Sequence, residues 1–405
     1  NRIVTDNGLS NPSRLVIGQA LVILVPQTIY TIRPGDTLQS IAQRFGTTEI
    51  VLMQNNPELI GRQQNLPVGQ VITIAFQGEK RRSIRVNGYA YPHIRTHVLE
   101  RALPYLTTLC IFSYGVTTTG NLITLDDQPL INLAYQYQTA PVMTVSTITE
   151  DGNFSSERAR IIFNNPELQN RLLDNIVANM QQKGYLGLDI DFEYIPPEES
   201  ESYLAFLRKA TERMHQEGFF VMADLAPKTS ASQPGLLYEA HNYPAVGSIV
   251  DIVLLMTYEW GYTFGPPMAV APLDQVRRVI EYGVSEIPPS KILMGMPNYG
   301  YDWPLPYEKG TTRATSIGNQ TAVDIAARNG ANIQYDLTAQ SPHFEYFNNG
   351  TKHVVWFEDI RSMDAKFQLM DEFDLLGGSL WNLMRPFAQV WALISARYTV
   401  NKIVR

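Results

Sequence analysis

Eight near-continuous apolar runs, most of them separated by helix-like segments, predict an α/β fold built as a closed (β/α)8 TIM barrel. Two further observations complete the architecture. The first 76 residues hold short strands and helices bounded by turn residues, which predicts small α+β modules ahead of the barrel. Residues 304–350 break the alternation of strand and helix, which predicts a small insertion after strand seven.

Within residues 27–76, Tyr30-Thr31-Ile32 reads as a strand and Pro34-Gly35-Asp36 as a turn. Asp36 or Thr37 caps a helix whose apolar residues Leu38, Ile41, Ala42 and Phe45 share one face. Gly46 ends that helix, Thr47-Thr48-Glu49 starts a second one running to Asn55, and Val71-Ile72-Thr73-Ile74 closes the unit as a strand. Residues 1–26 repeat its second half: Asn7-Gly8-Leu9 stands where the later copy has Asn55-Asn56-Pro57. Gly18-Gln19, inside the apolar run 15–23, stands where it has Gly69-Gln70, and in each copy the turn glycine is expected to lead into a short alternating strand. The charged stretch 77–83 is expected to be a solvated linker, leaving 84–405 for the barrel. The barrel strands are expected at 84–89, 106–114, 142–148, 186–194, 219–225, 249–257, 292–299 and 377–383, with helices at 166–183, 198–218 and 273–282 among those between them.

The series Tyr-x-Ile-x-x-Gly-Asp-Thr-Leu-x-x-Ile-Ala, then Asn-Asn-Pro and Val-Gly-Gln-x-Ile, resembles the LysM module over residues 28–75. The resemblance implies binding to N-acetylglucosamine in peptidoglycan or chitin, with 1–26 a partial second copy.

A net charge of −7 argues against a nucleic-acid partner and gives no attraction to acidic membranes. No apolar run is long enough for a membrane-spanning helix. The single cysteine, Cys110, lies in an apolar run and reads as a buried, inert thiol. His93 and His97, four apart, are placed on one solvated helix face, and neither a metal nor a cofactor is expected.

Chemistry concentrates in Gly187-Leu188-Asp189-Ile190-Asp191-Phe192-Glu193-Tyr194. Alternate side chains of a strand share a face, so Asp189, Asp191 and Glu193 point one way and Ile190 and Phe192 the other. The outer face of such a barrel is covered by helices, so the acids point inward. Glu193 then stands at the C-terminal end, where these barrels carry their active sites. Stacked inward carboxyls repel, so at least one keeps its proton near neutral pH, as acid catalysis requires.

The segment resembles the Asp-Gly-x-Asp-x-Asp-x-Glu signature of glycoside hydrolase family 18, on the strand where that family has it, with Leu186 replacing the first Asp. Met256-Thr257-Tyr258-Glu259-Trp260 resembles the family's Met-x-Tyr-Asp segment, with Glu259 in place of Asp. Trp381 matches the tryptophan that floors the sugar site. The resemblance implies retaining, substrate-assisted hydrolysis, in which the substrate's 2-acetamido oxygen attacks the anomeric carbon. It implies Glu193 as acid and base, Asp191 orienting the acetamido group, Asp189 supporting Asp191 by a shared proton, and Tyr258 bonding the acetamido oxygen. Trp381, Asn298, Tyr299, Tyr89, Glu259 and Trp260 are expected to bind substrate.

LysM repeats ahead of such a hydrolase, with segments such as Ala226-Pro227-Lys228-Thr229-Ser230, resemble the SleL/YaaH group of spore cortex-lytic enzymes. That resemblance implies cleavage after N-acetylglucosamine in cortex peptidoglycan, and a place at the spore or cell wall. A chitinase and a catalytically silent sugar-binding lectin are the alternatives. Retention of Glu193, Asp191 and Tyr258 argues against the lectin.

Overall fold

The computed structural model describes residues 2–149 and 151–404. Eight parallel strands form the barrel, in chain order: Arg82–Ala90, Thr108–Val116, Ala140–Ser146, Gly187–Asp191, Phe220–Leu225, Ile252–Leu255, Ile292–Pro297 and Gly377–Trp381. Each pairs with the next, and the first pairs with both the second and the eighth, so the sheet closes. Closure brings strands one and eight so near at Gly377 that a Cβ there would lie 1.8 Å from the Arg85 carbonyl oxygen.

The period of two sorts the side chains. Leu188, Ile190 and Phe192 pack outward into the core shared with the helices. Tyr89, Cys110, Phe112, Val142, Met222 and Leu254 fill the interior, where Cys110 is wholly buried. The helix Pro166–Lys183 shows why the boundaries were readable. Asn165 caps its first turn by accepting from the N–H groups of Glu167 and Leu168, and Gly184 ends it at φ 85°.

The insertion is wider than 304–350. Strands Gly300–Pro304, Thr315–Ile317, Gln334–Asp336, Ser341–Asn348 and Thr351–Trp356 form one antiparallel sheet beside the helix Asn319–Asn329. Its first strand follows strand seven almost without a break, which hid the boundary.

The N-terminal module has two antiparallel strands, Pro26–Thr31 and Val71–Phe76, around helices Leu38–Phe45 and Glu49–Asn55. Thr37 and Thr48 cap the helices. Asn56 clamps the module: its side chain donates to the carbonyls of Leu52 and Thr73 and accepts from the Thr73 N–H. Asn7 makes the same three bonds, with Ile3 and Val22 as partners. The repeat at residues 1–26 is therefore real in geometry, but its expected strand at 15–23 does not form. No strand pairs with it among the described residues. Its chain instead docks on the barrel, where Gln389 donates to Asn7 and to the Ala20 carbonyl.

The stretch 77–83 is not a solvated hinge either. Arg81 and Arg82 both reach Asp371 at 2.9 Å, Lys80 donates to the Ser395 carbonyl, and Arg82 already opens the first barrel strand. His93 lies in the turn before the helix Thr96–Ala102 and His97 inside it, so they share no helix face.

Candidate active site

A cleft of about 1090 Å³ opens at the C-terminal ends of the strands, lined by Asp191, Glu193, Asp224, Tyr258 and Trp381 among others. Strand four ends at Asp191, and Glu193 stands just beyond it, half-buried. The next residue, Tyr194, holds φ at 55°, and Glu259, following Tyr258, at 68°. Left-handed backbone at two non-glycine residues beside the acids is strain concentrated at the site. Gly295 on strand seven makes room for Tyr258: a Cβ there would come within 2.8 Å of the ring.

Below Glu193 the acids form a stack. Asp189 accepts from Thr144 and Tyr89 hydroxyls, each at 3.0 Å. The same Tyr89 hydroxyl lies 2.8 Å from Asp224 of strand five, so the two acids compete for its one proton, and Asp224 also meets Asp189. Burial and the neighbouring Asp189 and Asp191 push the Asp224 carboxyl well up, which favours its protonated form as the donor toward Asp189. Asp189, buried but surrounded by donors, is pushed up only to about 6. Asp191 is pushed well up by burial, then by Glu193 and Asp189. Its Oδ1, like Oδ1 of Asp189, finds no hydrogen-bond partner among the described residues. Burial, with Glu259 adding repulsion, pushes Glu193 up to about 7. A group there gives and takes a proton near neutral pH with little bias.

Several expected residues change place. Tyr89 lies beneath the cleft floor, 1% exposed, with its hydroxyl on the acid stack; Tyr91, two residues on, lines the cleft instead. Asn298 is 3% exposed and donates to the Asn382 and Arg385 carbonyls, so its amide holds the loop after strand eight. Tyr299 donates to Glu259 at 2.5 Å, and Tyr301 joins it. Asp189 trades its shared hydrogen bond with Asp224, not Asp191. Trp381 and Trp260 do line the cleft, and Trp381 packs edge-on against Phe112 at 4.9 Å.

Two functional residues escaped the sequence reading. Asp224 is the lone charge in the apolar run 219–225, a signal available in the sequence. His241 left none. Its Nδ1 accepts from the Ala226 N–H and its Nε2 faces the Phe192 carbonyl at 3.2 Å, so it braces the backbone next to Glu193. Burial pulls it down to about 4, which keeps it neutral.

The model of the glycosyl hydrolases family 18 matches residues 85–385. The chain belongs to glycoside hydrolase family 18. It is thus a glycosidase, and the LysM domain model matches residues 30–75. The chain is 42% identical to the cortical fragment-lytic enzyme of Bacillus subtilis (strain 168), covering 92% of this chain and 99% of that one. It superposes on the spore cortex-lytic enzyme SleL of Bacillus megaterium QM B1551 with a TM-score of 0.83 at 39% identity, over 99% of this chain and 94% of that one. The SleL structure from Bacillus cereus gives the same TM-score at 38% identity, covering 99% and 93%.

Proposed function

We propose that this glycosidase cuts spore cortex peptidoglycan after N-acetylglucosamine, by retaining, substrate-assisted catalysis, and that its LysM modules hold it on the glycan at the spore or cell wall. The observation that carries the chemistry is Glu193: a cleft carboxyl pushed up to about 7 by burial and by Glu259. Such a group protonates the leaving oxygen and, once ionised, activates water. Beside it in the cleft lining, Asp191 is placed to accept the acetamido N–H and to face the positive charge of the oxazolinium. Tyr258 donates to the acetamido oxygen, keeping it aimed at the anomeric carbon. Trp381 offers its face to the sugar ring. Glu259, tied up by two tyrosine hydroxyls, tunes Glu193 and does not attack. The identities to cortex-lytic enzymes over nearly the whole chain support cortex as the polymer.

Mass spectrometry of purified cortex fragments, treated with wild type and with Glu193→Gln, tests both bond and acid. New reducing-end N-acetylglucosamine is expected from the wild type, with the rate cut about 10²–10⁴-fold in the variant. Products ending in muramic acid, or equal products from both proteins, would refute the reading.

A further inference from the structure

Past Trp381 the cleft continues into a recess of about 460 Å³ whose walls include Tyr91, His93, Tyr301, Ser316, Trp381 and Arg385. Glu259 also borders it, and the two charges do not pair: no described carboxylate lies within ion-pair distance of Arg385. The guanidinium is half-buried in the loop after strand eight, where Nη1 donates to Ser316 Oγ at 3.0 Å and Nη2 to the Ser316 carbonyl at 3.2 Å. Burial alone pulls its pKa down, with only Tyr301 and Tyr299 opposing. A guanidinium has five donors in a planar fork suited to a carboxylate, and holding one partly dry without an anion is unfavourable. Arg385 contributes as well to a second recess of about 440 Å³, which Arg95 also borders. Glu358 and Asp359 also line that second recess, so the anion is expected to reach the guanidinium from the Trp381 side.

We propose that Arg385 forms a carboxylate-binding subsite that takes the lactyl or stem-peptide carboxylate of a muramyl residue adjoining the N-acetylglucosamine on Trp381. The inference rests on the peptidoglycan reading above. In an alternating glycan both neighbours of N-acetylglucosamine are muramyl, so it does not depend on which way the chain lies. Chitin has no such carboxylate, and muramic lactam has closed its own into an amide. The subsite therefore separates muramyl glycans from neutral ones.

Calorimetry on the turnover-blocked Glu193→Gln protein tests this. The probes are a tetrasaccharide of alternating N-acetylglucosamine and N-acetylmuramic acid, and the same sugar with its carboxyls reduced to alcohols. The acid form should bind about tenfold tighter, as a charge-assisted hydrogen bond allows. Adding Arg385→Gln should abolish that ratio, Arg385→Lys should restore part of it, and Ser316→Ala should keep it. No preference in Glu193→Gln, or a preference that survives Arg385→Gln, would overturn the subsite. Because binding needs no turnover, a wild type that bound with this preference yet left cortex uncut would defeat only the functional reading.

Discussion

Glu358 and Asp224 are both buried acids, and they are neutralised by different means. Glu358, beside the insertion, receives Lys366 Nζ at 2.8 Å, and both side chains are fully enclosed. Asp224, under the cleft, has no described cation within ion-pair distance and instead keeps a proton shared with Asp189. A fixed cation makes a structural acid permanent. A shared proton leaves the charge of the stack free to redistribute when Glu193 gives up or regains its own, which is what acid–base turnover uses.

The largest effect should come from stranding the structural acid. Lys366→Met leaves Glu358 buried and unpaired, and denaturant unfolding at neutral pH should show a loss of about 3–5 kcal/mol. A loss below about 1 kcal/mol would mean that Glu358 is already protonated and the contrast with Asp224 is false. The opposite sign is expected in the stack. Asp189 has its folded pKa raised from 3.8 to about 6, so its contribution to stability is fully present below 3.8 and is lost as pH rises through about 6. Asp224, pushed up further, extends that decline upward. Asp224→Asn removes one of the raised titrations of the stack, and thermal unfolding scanned from pH 4 to 8 should fall less steeply than in the wild type. The difference is up to about 1.4 kcal/mol per pH unit. A steeper fall would show that the stack is held by charge and not by a proton.

Much of the barrel was legible because its information is local. Each apolar run carries its own strand, and Asp189, Asp191 and Glu193 alternate within a single segment. What was illegible depends on pairs distant in sequence. Asp224 meets Asp189 only when strands four and five align. The charged run at 80–82 reads as solvated because Asp371, its partner, lies about 290 residues on. The run at 15–23 echoes the second LysM half, but no described strand pairs with it, and an isolated strand is not stable. Tyr89 and Asn298 were expected at the sugar, while the structure puts the Tyr89 hydroxyl on the acids and the Asn298 amide on the loop after strand eight, beside the recess.

In the cleft, Glu193 is the carboxyl poised to exchange a proton near neutral pH. Carbon-13 NMR of protein labelled at the glutamate carboxyls reads it directly, with Glu193→Gln identifying the signal. The titration midpoint should lie near 7. In Glu259→Gln it should move to lower pH, because a neighbouring negative charge is gone. A wild-type midpoint near 4.5, the ordinary value for a glutamate, would contradict the account.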